Sequence, residues 1–171
     1  VAKASTSEMA TAARLGTMRA ARDMGDYAVA LEAADAVLAS SAAAAARNEA
    51  TFTRAVALEA DGREAEALPL WQSLADNTSD IFGAKSAFRA AEALFEAGRA
   101  DEALAAAQKF TASGSPHRYW VARGFILMSD IYKSQGKNFE AREYLEALRD
   151  NYPGDETDIQ SILESRLSEE K

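Results

Sequence analysis

Gly98-Arg99-Ala100-Asp101-Glu102-Ala103 is the phrase on which the reading of this chain turns. It recurs as Gly25-Asp26-Tyr27-Ala28-Val29-Ala30, Gly62-Arg63-Glu64-Ala65-Glu66-Ala67 and Gly136-Lys137-Asn138-Phe139-Glu140-Ala141. Each copy is a glycine, four further residues and an alanine. The glycines stand 37, 36 and 38 residues apart. Leu31, Leu68 and Leu104 follow three of the alanines, and Arg142 follows the fourth. One such phrase carries little information. Four at nearly constant spacing define an internal repeat, and a period of about 20–50 residues marks a stacked architecture.

The phrase has a physical reading. A glycine just past a helix end adopts the left-handed conformation that other residues resist. It therefore closes the first helix of a hairpin, and the second helix starts within a residue or two. The alanine lies about one turn into that second helix and faces the first. Its methyl group lets the two axes approach closely, and a larger side chain there would cost about 1–3 kcal/mol through overpacking.

The composition around the phrases agrees. Ala, Leu, Glu and Arg dominate, all strong helix formers, and no segment alternates apolar and polar residues over strand length. The fold class predicted is all-α. First helices are expected at about 6–24, 43–61, 80–97 and 116–135, and second helices at about 26–40, 64–76, 100–112 and 138–151. Pro153-Gly154 breaks the chain before a last helix at about 157–169. Ser115 and Pro116 read as an N-cap followed by a proline in the first helical position. Asp155 to Asp158 place negative charge at the start of the last helix. Pro69 is awkward and predicts a bend or a late helix start. The alanine run from Ala42 to Ala46 reads as the start of a closely packed helix.

The bulk properties restrict function. The 171 residues carry a formal net charge of −8, with 48% apolar and only 8% aromatic residues. So acidic a chain is a poor binder of a phosphate backbone. There are no cysteines, which removes disulfides, thiolate metal sites and thiol nucleophiles. No run reaches the roughly 18 apolar residues of a membrane span. The first residue is Val1, as in a processed form or a piece of something longer. His117 is the lone histidine, beside Arg118, and reads as a surface residue rather than a general base. No calcium-loop spacing, zinc pair or phosphate loop is present. No catalytic residue, metal ligand or cofactor is expected.

The repeats resemble tetratricopeptide repeats over about residues 6–153. Leu58, Leu94 and Tyr132 stand four residues before their glycines, where that family places a bulky residue. Ala55, Ala91 and Ser129 lie three earlier, where it wants a small one. Trp71 and Leu145 fall at a large apolar position of the second helix, and Pro153 at the terminal proline. The first repeat departs, with Met18 at the small position and Ala21 at the bulky one. The longer period and the phrase Leu148-Arg149-Asp150-Asn151-Tyr152-Pro153 look more like one branch. That branch contains bacterial outer-membrane assembly lipoproteins and periplasmic division-coordinating proteins. This leans the expected location toward the periplasm or cell envelope, with the cytoplasm as the alternative.

The resemblance implies a right-handed α-α superhelix forming one domain across residues 1–171. It would hold repeats at about 6–42, 43–79, 80–115 and 116–153 and a capping helix at about 157–169. In that helix Ile159, Ile162, Leu163 and Leu167 form an apolar stripe, while Gln160, Glu164, Arg166, Ser168, Glu169 and Glu170 are polar. The resemblance further implies a groove, lined by the first helices, that binds a protein or peptide. The residues expected on it are Arg19, Phe52, Val56, Lys85, Phe88, Arg89, Glu92, Phe95, Arg123 and Asp130. Lys85 and Arg89 match two of the five places of a carboxylate clamp known in the family. Leu15, Arg19 and Thr53 fill the other three and depart from it. The function expected is a non-enzymatic binding scaffold, with no nucleic acid and no membrane insertion, and a monomer favoured. The alternative is a structural section of a longer solenoid that self-assembles or spaces other modules.

Overall fold

A computed structural model describes residues 2–168, with side chains from Thr6 onward. The described residues form helices α1 (Ala2–Met24), α2 (Tyr27–Leu38), α3 (Ala44–Ala60), α4 (Glu64–Leu74), α5 (Ile81–Glu96), α6 (Ala100–Thr111), α7 (Arg118–Ser134), α8 (Asn138–Asn151) and α9 (Thr157–Ser168). They fall into two compact units, Val1–Leu74 and Ala75–Lys171. In the first, each helix packs on the next, and α1 also meets α3. In the second, α5 to α9 pack the same way in sequence, with α7 touching both α5 and α9. This is an all-α helical repeat fold.

The four phrase glycines are the hairpin turns. Gly25, Gly62, Gly98 and Gly136 all have φ between 72° and 75°. At Gly98 the glycine N–H donates to Phe95 O at 2.9 Å and the Arg99 N–H to Leu94 O at 2.9 Å. This double closure satisfies carbonyls that a helix end leaves open. The same pair of bonds recurs at each of the other three turns. The long bond ends on Ala21, Leu58, Leu94 or Tyr132, the position that precedes the glycine by four.

The alanines behave as their spacing predicts. Ala30, Ala67, Ala103 and Ala141 are each at most 1% exposed, and so are Ala55 and Ala91 opposite two of them. Met18 fills the corresponding place in the first repeat and is fully buried. Its cluster contains Ala33, Ala34, Val37 and Ala50, small residues that leave room for the longer side chain. Gly124, inside α7, is a different case: a Cβ there would lie 2.9 Å from Thr111 Cγ2 and 3.4 Å from Phe110 Cδ1. Close approach of α6 and α7 requires its missing side chain.

Two local expectations need correction. The helix after Ser115-Pro116 begins at Arg118, with His117 as its N-cap. Ser115 instead donates its hydroxyl to Thr78 O at 2.6 Å and accepts the His117 N–H at 3.3 Å. Thr78 also donates to Ser113 Oγ at 2.9 Å, and His117 Nε2 lies 3.2 Å from Ser79 O. The connection before α5 is thus laced to the connection between α6 and α7. Of the two outcomes expected at Pro69, the late start does not occur: the helix begins at Glu64 and continues through the proline. Pro69 and Ala65, whose carbonyl loses its partner, are both exposed, so water can replace the missing bond.

α9 closes the second unit. Ile159 and Leu163 are buried against Ala122, Ile126, Leu145 and Leu148, with Ile162 and Leu167 partly buried beside them. Gln160, Glu164 and Ser168 face solvent. Arg166 is half-buried and bonded to Asp130. Glu169 and Glu170, read as part of the same polar side, lie outside the described residues.

Candidate functional site on the face of α5, α7 and α9

The second unit gathers most of the expected groove residues. Lys85, Phe88, Arg89 and Glu92 follow one another at i, i+3, i+4 and i+7 on α5, so they share one helix face. Tyr119, Arg123 and Asp130 form a matching stripe on α7, with Trp120 beside it. Asp158 and Arg166, two turns apart, bring α9 into the same face.

Cations and rings alternate across this face. Lys85 Nζ stands 5.5 Å from the centre of the Trp120 ring. Trp120 leans on Phe88 at 5.6 Å and meets Tyr119 edge-on at 5.1 Å. The Arg123 guanidinium lies over Phe88 at 5.1 Å. Each cation–ring contact contributes about 0.5–1 kcal/mol where water still reaches it. Arg123 also donates to Tyr119 Oη at 3.3 Å, and Tyr119 donates to Asp158 Oδ2 at 2.7 Å. That last bond, with help from backbone amides at the α9 start, holds the Asp158 carboxyl below the usual range.

Glu92 is the pivot. Arg89 pairs with one of its oxygens and Arg123 approaches the other at 3.9 Å. Burial nevertheless pushes its carboxyl above the usual value of 4.5, against the pull of both arginines. Two arginines thus flank a carboxylate that burial makes reluctant to ionise.

The remaining expected residues are placed differently. Phe88 is 3% exposed, so it forms the floor under Trp120 and Arg123 and not a ring open to a partner. Phe52 is buried in the first unit and packs edge-on against Trp71 at 5.2 Å. Of the three phenylalanines expected on the groove, Phe52 and Phe88 are therefore core and Phe95 is half-buried. Val56 is half-buried on α3. Arg19 makes a two-pronged bond to Glu49, at 2.7 and 2.5 Å, and Arg22 donates to Thr53 Oγ1 at 3.1 Å. Thr53 is fully buried. These partners occupy places that a carboxylate clamp would leave open.

Trp120, Tyr119, Asp158, Arg166 and Glu49 were not anticipated. Trp120 had a usable signal: the repeat offset of 38 places it opposite Phe82, another aromatic in the first turn of its helix. Among the described residues no cluster of three or more His, Cys, Asp or Glu side chains has the geometry of a metal site. None of the described helices is long and apolar enough to cross a membrane.

Residues 85–113 and 125–155 match the family model of the tetratricopeptide repeat. These two segments carry tetratricopeptide repeats. Among solved structures, a tetratricopeptide repeat protein from Parabacteroides merdae superposes with a TM-score of 0.69 at 17% identity, over 94% of this chain and 61% of that one. The chain thus spans about three fifths of that protein's length. The MamA protein superposes with a TM-score of 0.65 at 18% identity, over 92% of this chain and 86% of its own. At these identities the likeness is one of fold. No curated protein matches the sequence. Tetratricopeptide repeats generally mediate protein–protein interaction and are generally non-enzymatic scaffolds.

Proposed function

We propose that this chain is a non-enzymatic scaffold that binds a protein or peptide on the face made by α5, α7 and α9. The observation that carries this reading is the row Lys85, Trp120, Phe88, Arg123 and Glu92. Half-exposed rings and guanidiniums on neighbouring first helices are the groups that dominate protein recognition. These groups already touch one another in the free chain, which limits the ordering cost of binding. Lys85 and Arg123 on this face favour a segment bearing carboxylates, with charge setting the association rate more than the affinity. The overall charge of −8 disfavours nucleic acid as the partner.

The test is a random peptide library displayed against the folded chain. Recovered peptides are then measured by calorimetry on the Lys85→Glu and Arg123→Glu variants. Both should bind about tenfold or more weakly. Lys109→Glu, on α6 and paired only with exposed Asp76, should not change affinity. Equal affinity across all three variants, with helicity retained, removes the assignment.

A further inference from the structure

A second stripe of α7 has a separate use. Arg118, Val121 and Phe125 follow at i, i+3 and i+7, beside the stripe of Tyr119, Arg123 and Asp130. With Leu148, Tyr152 and Pro153 at the end of α8 they line an open cleft of about 500 Å³. Its walls are mostly apolar, and Arg118 is the one charged side chain among them. Most arginines of the described residues hold a carboxylate, as Arg19, Arg54, Arg99 and Arg142 do. Arg118 is exposed and holds none among the described residues. Because α7 begins at this residue, the positive end of its dipole adds to the same sign. The cleft therefore suits a large apolar side chain with a carboxylate beside it.

The chain displays such a group itself. Phe139, in the first turn of α8, is 71% exposed. Its ring is open to water, so burying it against another surface would be favourable. The next residue, Glu140, is also exposed and in no ion pair among the described residues. Phe139 stands at the Gly136 end of the α7–α8 hairpin and the cleft at the opposite end. Asn151 stands 12 positions after Phe139, about 18 Å along α8, so the knob cannot fill its own cleft.

We propose that Phe139 of one copy of this chain enters the α7–α8 cleft of the next, with its Glu140 on the neighbour's Arg118. Knob and cleft occupy opposite ends of one hairpin, so the contact is head-to-tail. Repeated from copy to copy it builds rings or open chains, and two copies set antiparallel would satisfy both pairs in a closed dimer. The interface is small, which makes the association weak and dependent on concentration.

Sedimentation velocity from micromolar to near-millimolar protein tests this. The mean mass should rise with concentration, to the dimer where the two pairs close reciprocally and beyond it where they do not. Arg118→Glu, Glu140→Lys and Phe139→Ser should each keep the helicity and stay monomeric over the same range. An equal mixture of the Arg118→Glu and Glu140→Lys chains should associate again, because each supplies the charge that the other's contact needs. A wild-type chain that remains monomeric at every concentration overturns the proposal, even if the cleft captures an acidic-apolar peptide of another protein. So does association that survives both charge reversals, or a mixture that stays monomeric. Lys85→Glu should leave the association unchanged, which separates this contact from the face proposed for other partners.

Discussion

Ser129 Oγ donates a 2.8 Å hydrogen bond to the carbonyl oxygen of Ala141, across the fourth hairpin and fully inside it. The two residues occupy the paired small positions of that repeat. In the second and third repeats the same places hold Ala55 with Ala67 and Ala91 with Ala103, all buried. The serine therefore adds a bond to a site whose packing already works with alanine.

Ser129→Ala should accordingly cost only about 0.5–1.5 kcal/mol, since it leaves no buried donor unsatisfied. Ser129→Leu adds volume where the helices touch and should cost about 1–3 kcal/mol or more. Denaturant unfolding of both variants checks the order. If the alanine variant is the less stable of the two, close packing is not what sets this position.

Gly98 and Gly124 should respond to alanine for different reasons. A Cβ at Gly98 meets nothing within 4 Å, but φ is 74° there. Gly98→Ala should lose about 1–2 kcal/mol through backbone conformation alone. Gly98→Asn should recover part of that loss, because asparagine tolerates the left-handed region. Gly124 has an ordinary helical φ, and its alanine variant fails by collision with Thr111. Thr111→Ser removes the Cγ2 that collides, so it should rescue Gly124→Ala and do nothing for Gly98→Ala. Thermal melts of the single and double variants decide this.

Glu92 gives a pH dependence with a definite sign. Its carboxyl sits above 4.5 in the folded chain because it is buried. Below the unfolded value the group is neutral in both states and its contribution is fully present. As pH rises from 4.5 through the higher folded value, the unfolded chain ionises more readily and that stability is lost. The Glu92→Gln variant should therefore gain on the wild type as pH rises above the usual carboxylate value of 4.5. Melting temperatures of both proteins across this range test it. A gap that closes or reverses as pH rises would show that Arg89 and Arg123 outweigh burial.

The turns and the alanines were readable from sequence because their causes are local. A positive φ needs glycine at one position, and two helices in contact need a small residue five places on; both leave their mark within six residues. The Ser115 cap was misread because its hydroxyl serves Thr78, 37 residues away, and nothing near Ser115 records that partner. The site was half legible. Helical spacing put Lys85, Arg89 and Glu92 on one side of α5, and the family resemblance set Arg123 on the same groove. Spacing alone did not show that Phe88 lies beneath Trp120, because depth depends on how closely α5 and α7 approach. Tyr119 and Asp158 meet across 39 residues, beyond the reach of any pattern in one helix.

The bonds among Thr78, Ser113, Ser115, Ser79 and His117 tie two successive connections edge to edge. Stacked hairpins held only by oily stripes can peel away one at a time. Stitched along this rim, the third and fourth hairpins share a seam, so fraying at one transmits tension to the other. They should melt as a single cooperative body.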